Sequence, residues 1–355
     1  MNPVFLACGG LYAAAVAAAA RFGLADQLGA GPLTVADLAE RTGTRAAVLA
    51  DLLRLLAGVG VFAEEADGRF GNSADSAPLM SDHPRSQRHL CMLMGEAYQP
   101  VFTRLRHTLE TGEPACDLVL GGDLYRYLDA HPESRRVYDL AMADLARPVG
   151  AALAAALDFS AETLVVDVGG GSGMLLRGLL ACHPHLQGVC VDLPATCARA
   201  TAELAATAPA LAGRLRFVAG DLFAPQAVGG DLYLLKNVLH NWGDPQCRDI
   251  LTALAQTLAR VQSAARRPVR LLVIEALSDG AMPDSYRAVD ALLQRVLCRP
   301  GAQARDLAAM NGLITAAGLS VTAVAGLASG HSLLVCALPA APAGPRSAHP
   351  APAAQ

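Results

Sequence analysis

Val166-Asp-Val-Gly-Gly-Gly-Ser-Gly173 is the stretch that decides the fold of this chain. A short β-branched run leads directly into glycines at positions 169, 171 and 173, and a helical pattern follows them. Such a strand–turn–helix brings backbone close to a ligand at the carboxyl end of a buried strand. The dinucleotide fingerprint requires a further glycine where this chain has Met174, so the turn lacks the usual pyrophosphate spacing.

Two further strand ends carry acids of the kind that hold a nucleoside. The next run ends in Val191-Asp-Leu-Pro194, and the one after it ends in Val218-Ala-Gly-Asp-Leu-Phe223. The first of these carboxylates can accept both ribose hydroxyls. Asp221 can accept from an adenine amino group while Leu222 or Phe223 covers the ring. Each acid alone could be an ordinary turn residue, but three such features at successive strand ends predict a nucleoside site.

Short β-branched runs alternate with helical stretches from residue 162 onwards. The runs are 164–168, 188–193, 215–218, 232–235, 271–274, 320–324 and 332–337. Continuous apolar strands that alternate with helices predict an α/β fold whose sheet is covered on both faces. The tight Gly-containing link between the last two runs predicts an antiparallel final strand.

The first quarter of the chain has a different pattern. Residues 11–28, 34–42 and 45–58 show helical periodicity, and two short runs around Asp67-Gly68 predict a hairpin. Helix, helix and hairpin outline a winged helix. From Gly31 to Asp75 there are seven acids and four arginines, and the whole chain carries a net charge of −4. Because acidic surfaces bind phosphates poorly, we favour a structural or dimerisation module over a nucleic-acid partner.

Composition limits the binding partners and the cellular compartment that we expect for this protein. Val4–Ala20 is uncharged and Ala-rich, but no positive region precedes it and it is short for a membrane span, so we interpret it as an apolar helix at a subunit contact. Nine scattered cysteines without a C-x-x-C motif predict free thiols in a reducing compartment, and hence a cytoplasmic protein. Cys182-His183-Pro-His185 has no second ligand pair, so we predict no metal site.

Residues 87–155 are predicted to be mostly helical and are rich in methionine and aromatic side chains. These are Met92, Met94, Tyr98, Phe102, Tyr125, Tyr127, Tyr138 and Met142. Such a set is most often plain core, although it can also line an apolar pocket. From the residues alone both interpretations stay open.

The three strand ends together resemble the class I S-adenosylmethionine (SAM) methyltransferases. The fourth run continues into Leu234-Leu-Lys-Asn-Val-Leu-His-Asn-Trp-Gly-Asp244. This stretch resembles the His-x-Trp-x-Asp segment of the small-molecule O-methyltransferases with a winged-helix dimerisation domain, found among plant phenolic and bacterial antibiotic-pathway enzymes. The resemblance extends to about residue 338. It implies a seven-stranded Rossmann-like domain, a homodimer, SAM as methyl donor with S-adenosylhomocysteine as product, and an aromatic small-molecule acceptor.

The resemblance also implies domain boundaries. We predict a winged-helix-like dimerisation domain in residues 1–86 and a helical linker that includes the acceptor pocket in residues 87–155. A Rossmann-like, SAM-binding catalytic domain would span residues 156–338. Residues 339–355, which are Ala, Pro, Gly and Ser for the most part, would be a disordered tail.

Seven positions match the family's cofactor site. Asp167, Gly169 and Gly171 would line the methionine and ribose part, Asp192 would hold the ribose, Asp221 and Phe223 would hold the adenine, and Lys236 would border the adenine or the carboxylate. Lys236 is also the only lysine of the chain, so it is the single candidate for any lysine chemistry.

His240 matches the family's general base, and Glu275 matches an acid that orients it. A free phenol has a pKa near ~10 and imidazole near ~6.5, so a neutral histidine can take the acceptor's proton. Such general-base catalysis contributes typically ~10²–10⁴-fold. On the acceptor side we expect four residues: Tyr98, Met142, Trp242 and Asp290. Met142 matches a family methionine that lies against the aromatic acceptor.

One position departs from the family pattern. Where the family often has a second acid, this chain has Ala304, and Asp306 could substitute for it. If it does not, the histidine has one acid partner, and methylation of an aromatic ring carbon becomes the nearest alternative to O-methylation. A SAM-sensing regulator and a homologue that binds SAM without methyl transfer are weaker alternatives. The acidic winged helix opposes the first, and the intact His240 and Glu275 oppose the second.

Overall fold

Helices make up most of the N-terminal part of the chain. The computed structural model describes residues 2–224 and 226–339. The helices before the large sheet are α1 Pro3–Ala7, α2 Gly9–Arg21, α3 Leu24–Gln27, α4 Val35–Thr42, α5 Ala46–Gly58, α6 Arg88–Leu93, α7 Gln99–Phe102, α8 Leu105–Thr111, α9 Cys116–Leu120, α10 Leu124–Ala130 and α11 Pro132–Ala156. A hairpin of β1 Phe62–Glu64 and β2 Phe70–Asn72 follows α5.

Strands alternate with helices in the remainder. The strands are β3 Leu164–Val168, β4 Gln187–Asp192, β5 Leu215–Ala219, β6 Leu232–Lys236, β7 Arg270–Glu275, β8 Ser320–Gly326 and β9 Ser332–Ala337. The helices are α12 Met174–Cys182, α13 Pro194–Thr207, α14 Asp244–Ala265, α15 Asp284–Leu297 and α16 Leu307–Ala316. Each predicted strand is present, with bounds that differ by at most two residues.

One seven-stranded sheet joins these strands in the order β5-β4-β3-β6-β7-β9-β8. All pairs are parallel except those of β9, which runs antiparallel to both β7 and β8. The predicted antiparallel final strand is therefore confirmed. So is the fold class, a seven-stranded α/β domain with a helical N-terminal dimerisation domain.

The sheet is buried on both faces, as the continuous apolar strands predicted. One cluster packs α14 and α16 against one face, and the other packs the end of α11 and α12 against the opposite face. The order of strands reverses between β3 and β6, because β3 pairs with β4 on one side and with β6 on the other. Ligands of open α/β sheets bind outside the carboxyl ends of the strands at such a switch point.

The N-terminal helices follow the sequence except at one place. The Thr34 side chain accepts from the Asp37 N–H and so caps α4, and Gly68 turns the hairpin with a φ of +78°. The predicted single helix over residues 11–28 is wrong. Gly23 adopts a φ of +63° and separates α2 from α3. Apolar periodicity does not show where a glycine adopts the left-handed backbone conformation that it permits, so the sequence did not predict this break.

Two glycines bring the helical part and the sheet domain together. Gly150 of α11 faces Gly178 of α12, and a Cβ built on Gly150 would lie 2.5 Å from the Leu175 carbonyl oxygen. Real Cβ atoms do not approach backbone this closely, so any side chain at 150 forces the two helices apart. The contact between α11 and α12 therefore depends on the absence of a side chain at this position.

The N-terminal segment is apolar on its outside. Val4, Phe5, Leu6 and Leu11 are all largely exposed in the single chain.

Among the described helices, none combines the length and the apolar character that crossing a membrane requires. The predicted tail lies outside the described residues from 340 onwards, and the cytoplasmic location stays a prediction.

The Gly150 contact gives a direct stability test. We expect Gly150→Ala to lower the free energy of unfolding by about 1–3 kcal/mol, since a side chain there overpacks the α11–α12 contact. Gly312→Ala is the matched control, because Gly312 also lies in a helix but has open space around it. That change should raise stability by about 0.4–1 kcal/mol by restricting the unfolded chain. Denaturant unfolding of both variants measures the difference, and equal effects would contradict the role of Gly150.

Candidate active site

The glycine turn after β3 has the conformation that its sequence predicts. Gly169, Gly171 and Gly173 have φ values of +74°, +57° and +69°, which L side chains rarely adopt. A Cβ on Gly169 would also lie 3.0 Å from a Val238 methyl. The Gly171 N–H donates to Asp192 Oδ2 at 2.9 Å. The turn therefore exposes backbone at the carboxyl end of β3, beside the end of β4.

Asp167 is the buried anion at this turn. Its side chain is almost fully buried, and its Oδ1 has no hydrogen-bond partner among the described residues. Burial raises the pKa of Asp167 to about 7, against the opposing charge of Lys236. A buried carboxylate oxygen without a donor is costly, so the site fits a ligand that brings a cation. The ammonium of the methionine part of SAM is such a group.

Lys236, the only lysine of the chain, ends β6, the strand between β3 and β7. Burial lowers the pKa of Lys236 to about 8, while the charges of Glu275 and Asp167 act in the opposite direction. Glu275 ends β7, and Asp167 is the last residue but one of β3. The lysine therefore comes from the strand between those that carry the glycine turn and the acid that contacts His240.

The two acids expected at the nucleoside part are already bonded to backbone. Asp192 accepts from the N–H groups of Gly171 and Leu193, and Asp221 Oδ1 accepts from the Phe223 N–H at 2.9 Å. Each carboxylate is thereby oriented, and its oxygens keep further acceptor capacity for hydroxyl or amino groups.

An aromatic corner closes this side of the site. The rings of Phe223 and Trp242 meet edge to face with centroids 5.0 Å apart, and the Arg299 guanidinium lies 5.1 Å from the Trp242 centroid. Trp242, which the sequence assigned to the acceptor, thus contacts the residue assigned to adenine. Arg299 also pairs with Asp123, the N-cap of α10, and so connects the corner to the helical segment. No pattern in the sequence indicated Arg299.

His240 and Glu275 form a direct pair. His240 Nδ1 lies 3.2 Å from Glu275 Oε2, and Glu275 Oε1 accepts from the backbone N–H groups of Val238 and Leu239. Burial alone would raise the pKa of Glu275, but His240 and these backbone donors hold it below its usual value. A proton on Nδ1, donated to Glu275, leaves the lone pair of His240 Nε2 available as a base.

The expected acceptor residues lie in two places. Tyr98 and Met142 belong to the apolar cluster of the helical part, and burial raises the pKa of Tyr98 well above its usual value. Nearby, the Tyr138 hydroxyl lies 3.4 Å from the Tyr125 hydroxyl.

Asp290 of α15 is half-buried. Burial raises its pKa, and the charge of His240 opposes this rise.

Asp306 does not act as the second acid. Its side chain caps α16 by accepting from the Ala309 N–H at 2.7 Å, and it is exposed. In the described part of the chain no hydrogen bond or ion pair joins it to His240. Among the described residues, Glu275 is thus the one carboxylate that contacts the His240 ring.

Two residues near His240 were missed by sequence reasoning. His331 is buried just before β9, and burial together with the charge of Lys236 lowers its pKa to about 4. Only the register that pairs Ser332 with Glu275 brings it there, and a single sequence does not show register. Arg305 is buried and contacts the backbone on both sides of His240. In the sequence, the one indication of Arg305 was its position beside Ala304, where the chain departs from the family pattern.

Comparison with known proteins identifies the family. An O-methyltransferase domain matches residues 102–320, and an O-methyltransferase dimerisation domain matches residues 5–82. The phenazine O-methyltransferase PhzM of Lysobacter antibioticus is 32% identical over 317 residues, which are 89% of each chain.

Two solved structures are similar over almost the whole chain. One is an O-methyltransferase from neocarzinostatin biosynthesis, NcsB1, in complex with SAM and 2-hydroxy-5-methyl naphthoic acid. It has a TM-score of 0.73 and 30% identity, covering 92% of this chain and 95% of that chain. The other is CalO1, a methyltransferase of calicheamicin biosynthesis, with S-adenosylhomocysteine bound. It has a TM-score of 0.75 and 35% identity, covering 96% and 100%. The chain therefore belongs to the O-methyltransferase family and is a SAM-dependent methyltransferase.

Proposed function

We propose that this protein transfers the methyl group of SAM to a hydroxyl of an aromatic small molecule in antibiotic-type metabolism, with His240 as general base. The observation that carries the proposal is the His240–Glu275 pair, next to the glycine turn at the carboxyl edge of the sheet. The relatives support the acceptor class, because they are O-methyltransferases of phenazine and naphthoate chemistry.

The residues divide the chemistry between them. When bound, SAM supplies a methyl group on a positively charged sulfur. Asp167 would bind the ammonium of the methionine part, and Asp192 and Asp221 would bind the ribose and the adenine. His240 Nε2 would take the proton of the acceptor hydroxyl while Glu275 stabilises the imidazolium, as in other His–carboxylate pairs.

The helical part supplies the acceptor side and the dimer contact. Tyr98 and Met142 would exclude water from the acceptor, and Asp290 would face it from α15. The exposed apolar side chains of α1 and α2 support a homodimer, because a contiguous apolar patch of this kind marks an interaction surface. The match of residues 5–82 to a dimerisation domain supports the same proposal.

His240→Ala tests the general base. We expect it to lower methyl transfer at least about a hundredfold, while SAM affinity stays within about twofold, because only proton removal is lost. The assay uses radiolabelled SAM with catechols, hydroxyquinones and tyrosine-type phenols, and product mass spectra and NMR show whether the label is on oxygen or carbon. His107→Ala is the control, because within residues 2–224 and 226–339 its ring has one hydrogen-bond partner, Thr111. Label on a ring carbon would favour the C-methyltransferase alternative, and an active His240→Ala would remove the histidine from the mechanism.

Glu275→Gln tests the orienting acid. The amide can still accept from the Val238 and Leu239 N–H groups, but it presents a donor to His240 and loses the negative charge. We expect kcat to fall about a hundredfold or more, as when the acid of a His–carboxylate pair becomes an amide. The radiolabelled transfer assay measures the loss. An unchanged kcat in Glu275→Gln would mean that Glu275 does not act through His240.

Asp167 predicts a pH dependence of cofactor binding. With a pKa of about 7 in the free enzyme, this carboxyl is neutral below pH 7 and ionised above it. A bound ammonium favours the ionised form, so binding below pH 7 must release a proton. SAM affinity should therefore weaken as pH falls from 7 to 5.5, by at most about tenfold per pH unit. Calorimetric titration measures it. Asp167→Asn should bind more weakly and without this slope, and a flat profile in the wild type would contradict the assignment.

A further inference from the structure

The segment that carries His240 has little regular structure of its own. Leu239–Asn241 form a single 3₁₀ turn between β6 and α14, and the next residue, Trp242, is extended. General-base catalysis requires the imidazole to be held close to its productive geometry. A short turn without ladder hydrogen bonds does not provide this by itself.

Arg305 holds this turn from one side. Its Nη1 donates to the Leu239 carbonyl oxygen at 3.0 Å, and its Nη2 donates to the Trp242 carbonyl oxygen at 2.7 Å. Its Nε and Nη2 also donate to Asp244 Oδ1, at 2.9 and 2.8 Å. The guanidinium thus bonds to the residue before His240, to the second residue after it and to the start of α14.

Backbone around Arg305 reaches the same pair of residues. The Gln303 N–H donates to the His240 carbonyl oxygen at 3.1 Å. The Arg305 carbonyl oxygen accepts from the Ser278 N–H at 2.9 Å, and Ser278 lies three residues after Glu275. One short segment, residues 303–305, therefore connects the turn that bears the base to the loop that follows its acid.

The arrangement requires an arginine. The Arg305 side chain is only 2% exposed, so its charge is removed from water and must be bonded. A planar guanidinium presents fixed donors to three acceptors at once, whereas a lysine ammonium is a single point that cannot span two carbonyls and a carboxylate. Asp244 supplies the negative charge that balances it.

We propose that Arg305 is a positioning residue for methyl transfer, which fixes the Leu239–Trp242 turn so that His240 stays against Glu275. Its effect on the rate passes through His240. This inference rests on the proposed role of His240 as general base.

The test is a double-mutant cycle in the full-length protein. We compare Arg305→Lys, His240→Ala and the double variant in the radiolabelled transfer assay with catechols, hydroxyquinones and tyrosine-type phenols. Arg305→Lys should lower kcat at least about tenfold and leave SAM affinity within about twofold. In the His240→Ala background it should have no further effect, because residues that act as a unit are not additive.

A second measurement needs no acceptor. In protein labelled with ¹⁵N-histidine, the His240 resonance is assigned by its loss in His240→Ala. The wild type should show one tautomer, with the proton on Nδ1, and Arg305→Lys should show a mixture of tautomers. Arg214→Lys is the matched control. Arg214 likewise donates to backbone carbonyls, those of Leu180, His183, Pro184 and Leu186, but at the amino end of β5, on the opposite edge of the sheet.

The outcomes separate the two proposals. A rate loss that persists without His240, or an unchanged tautomer in Arg305→Lys, would overturn the positioning role. So would a rate loss matched by Arg214→Lys at equal loss of thermal stability. If His240→Ala itself retains full activity, the general-base proposal fails, whatever Arg305→Lys does. If His240→Ala is inactive and Arg305→Lys is fully active, the positioning role alone fails.

Discussion

The carboxylate of Glu275 is the group on which the site depends. It is almost fully buried, and each of its oxygens has a defined donor: Oε1 takes the Val238 and Leu239 N–H groups, and Oε2 faces His240 Nδ1. Burying this carboxylate without these donors would cost several kcal/mol of folding free energy. The turn after β6 and the end of β7 therefore stabilise each other's position. The parallel pairing of β6 with β7, in which Lys236 lies opposite Ile274, brings the two ends to the same level.

The same edge of the sheet explains how the cofactor side and the acceptor side are connected. Lys236 and Glu275 are the last residues of β6 and β7, and Asp167 is the last but one of β3. The charge of Lys236 opposes the rise in the pKa of Asp167, and the charges of Glu275 and Asp167 oppose the fall in the pKa of Lys236. These effects follow from strand order, because a different order would separate the three side chains.

The sequence predicts the elements of this structure better than their contacts. All seven strands, the glycine turn and the hairpin are encoded in local patterns, so they could be derived from residues a few positions apart. The break at Gly23, the Gly150 contact and the position of His331 depend on backbone conformation or on register between distant segments. His240 and Glu275 were assigned by resemblance and lie in contact. Apart from its place beside Ala304, Arg305 had no local signal, because its role comes from three acceptors more than 60 residues away in sequence.

Ala304, where the chain departs from the family pattern, lies in the segment that holds the His240 turn through Arg305. A second carboxylate at the histidine would hold the ring by a side chain, and Asp306 does not replace it because it caps α16. In this chain the neighbouring residues instead form hydrogen bonds with the backbone of the turn, through the Gln303 N–H and the Arg305 guanidinium. Backbone contacts fix the position of the imidazole without adding negative charge beside it. Among the described residues, Glu275 is then the one carboxylate in contact with the ring, so the orientation of the imidazole depends on that contact and on the backbone of the turn.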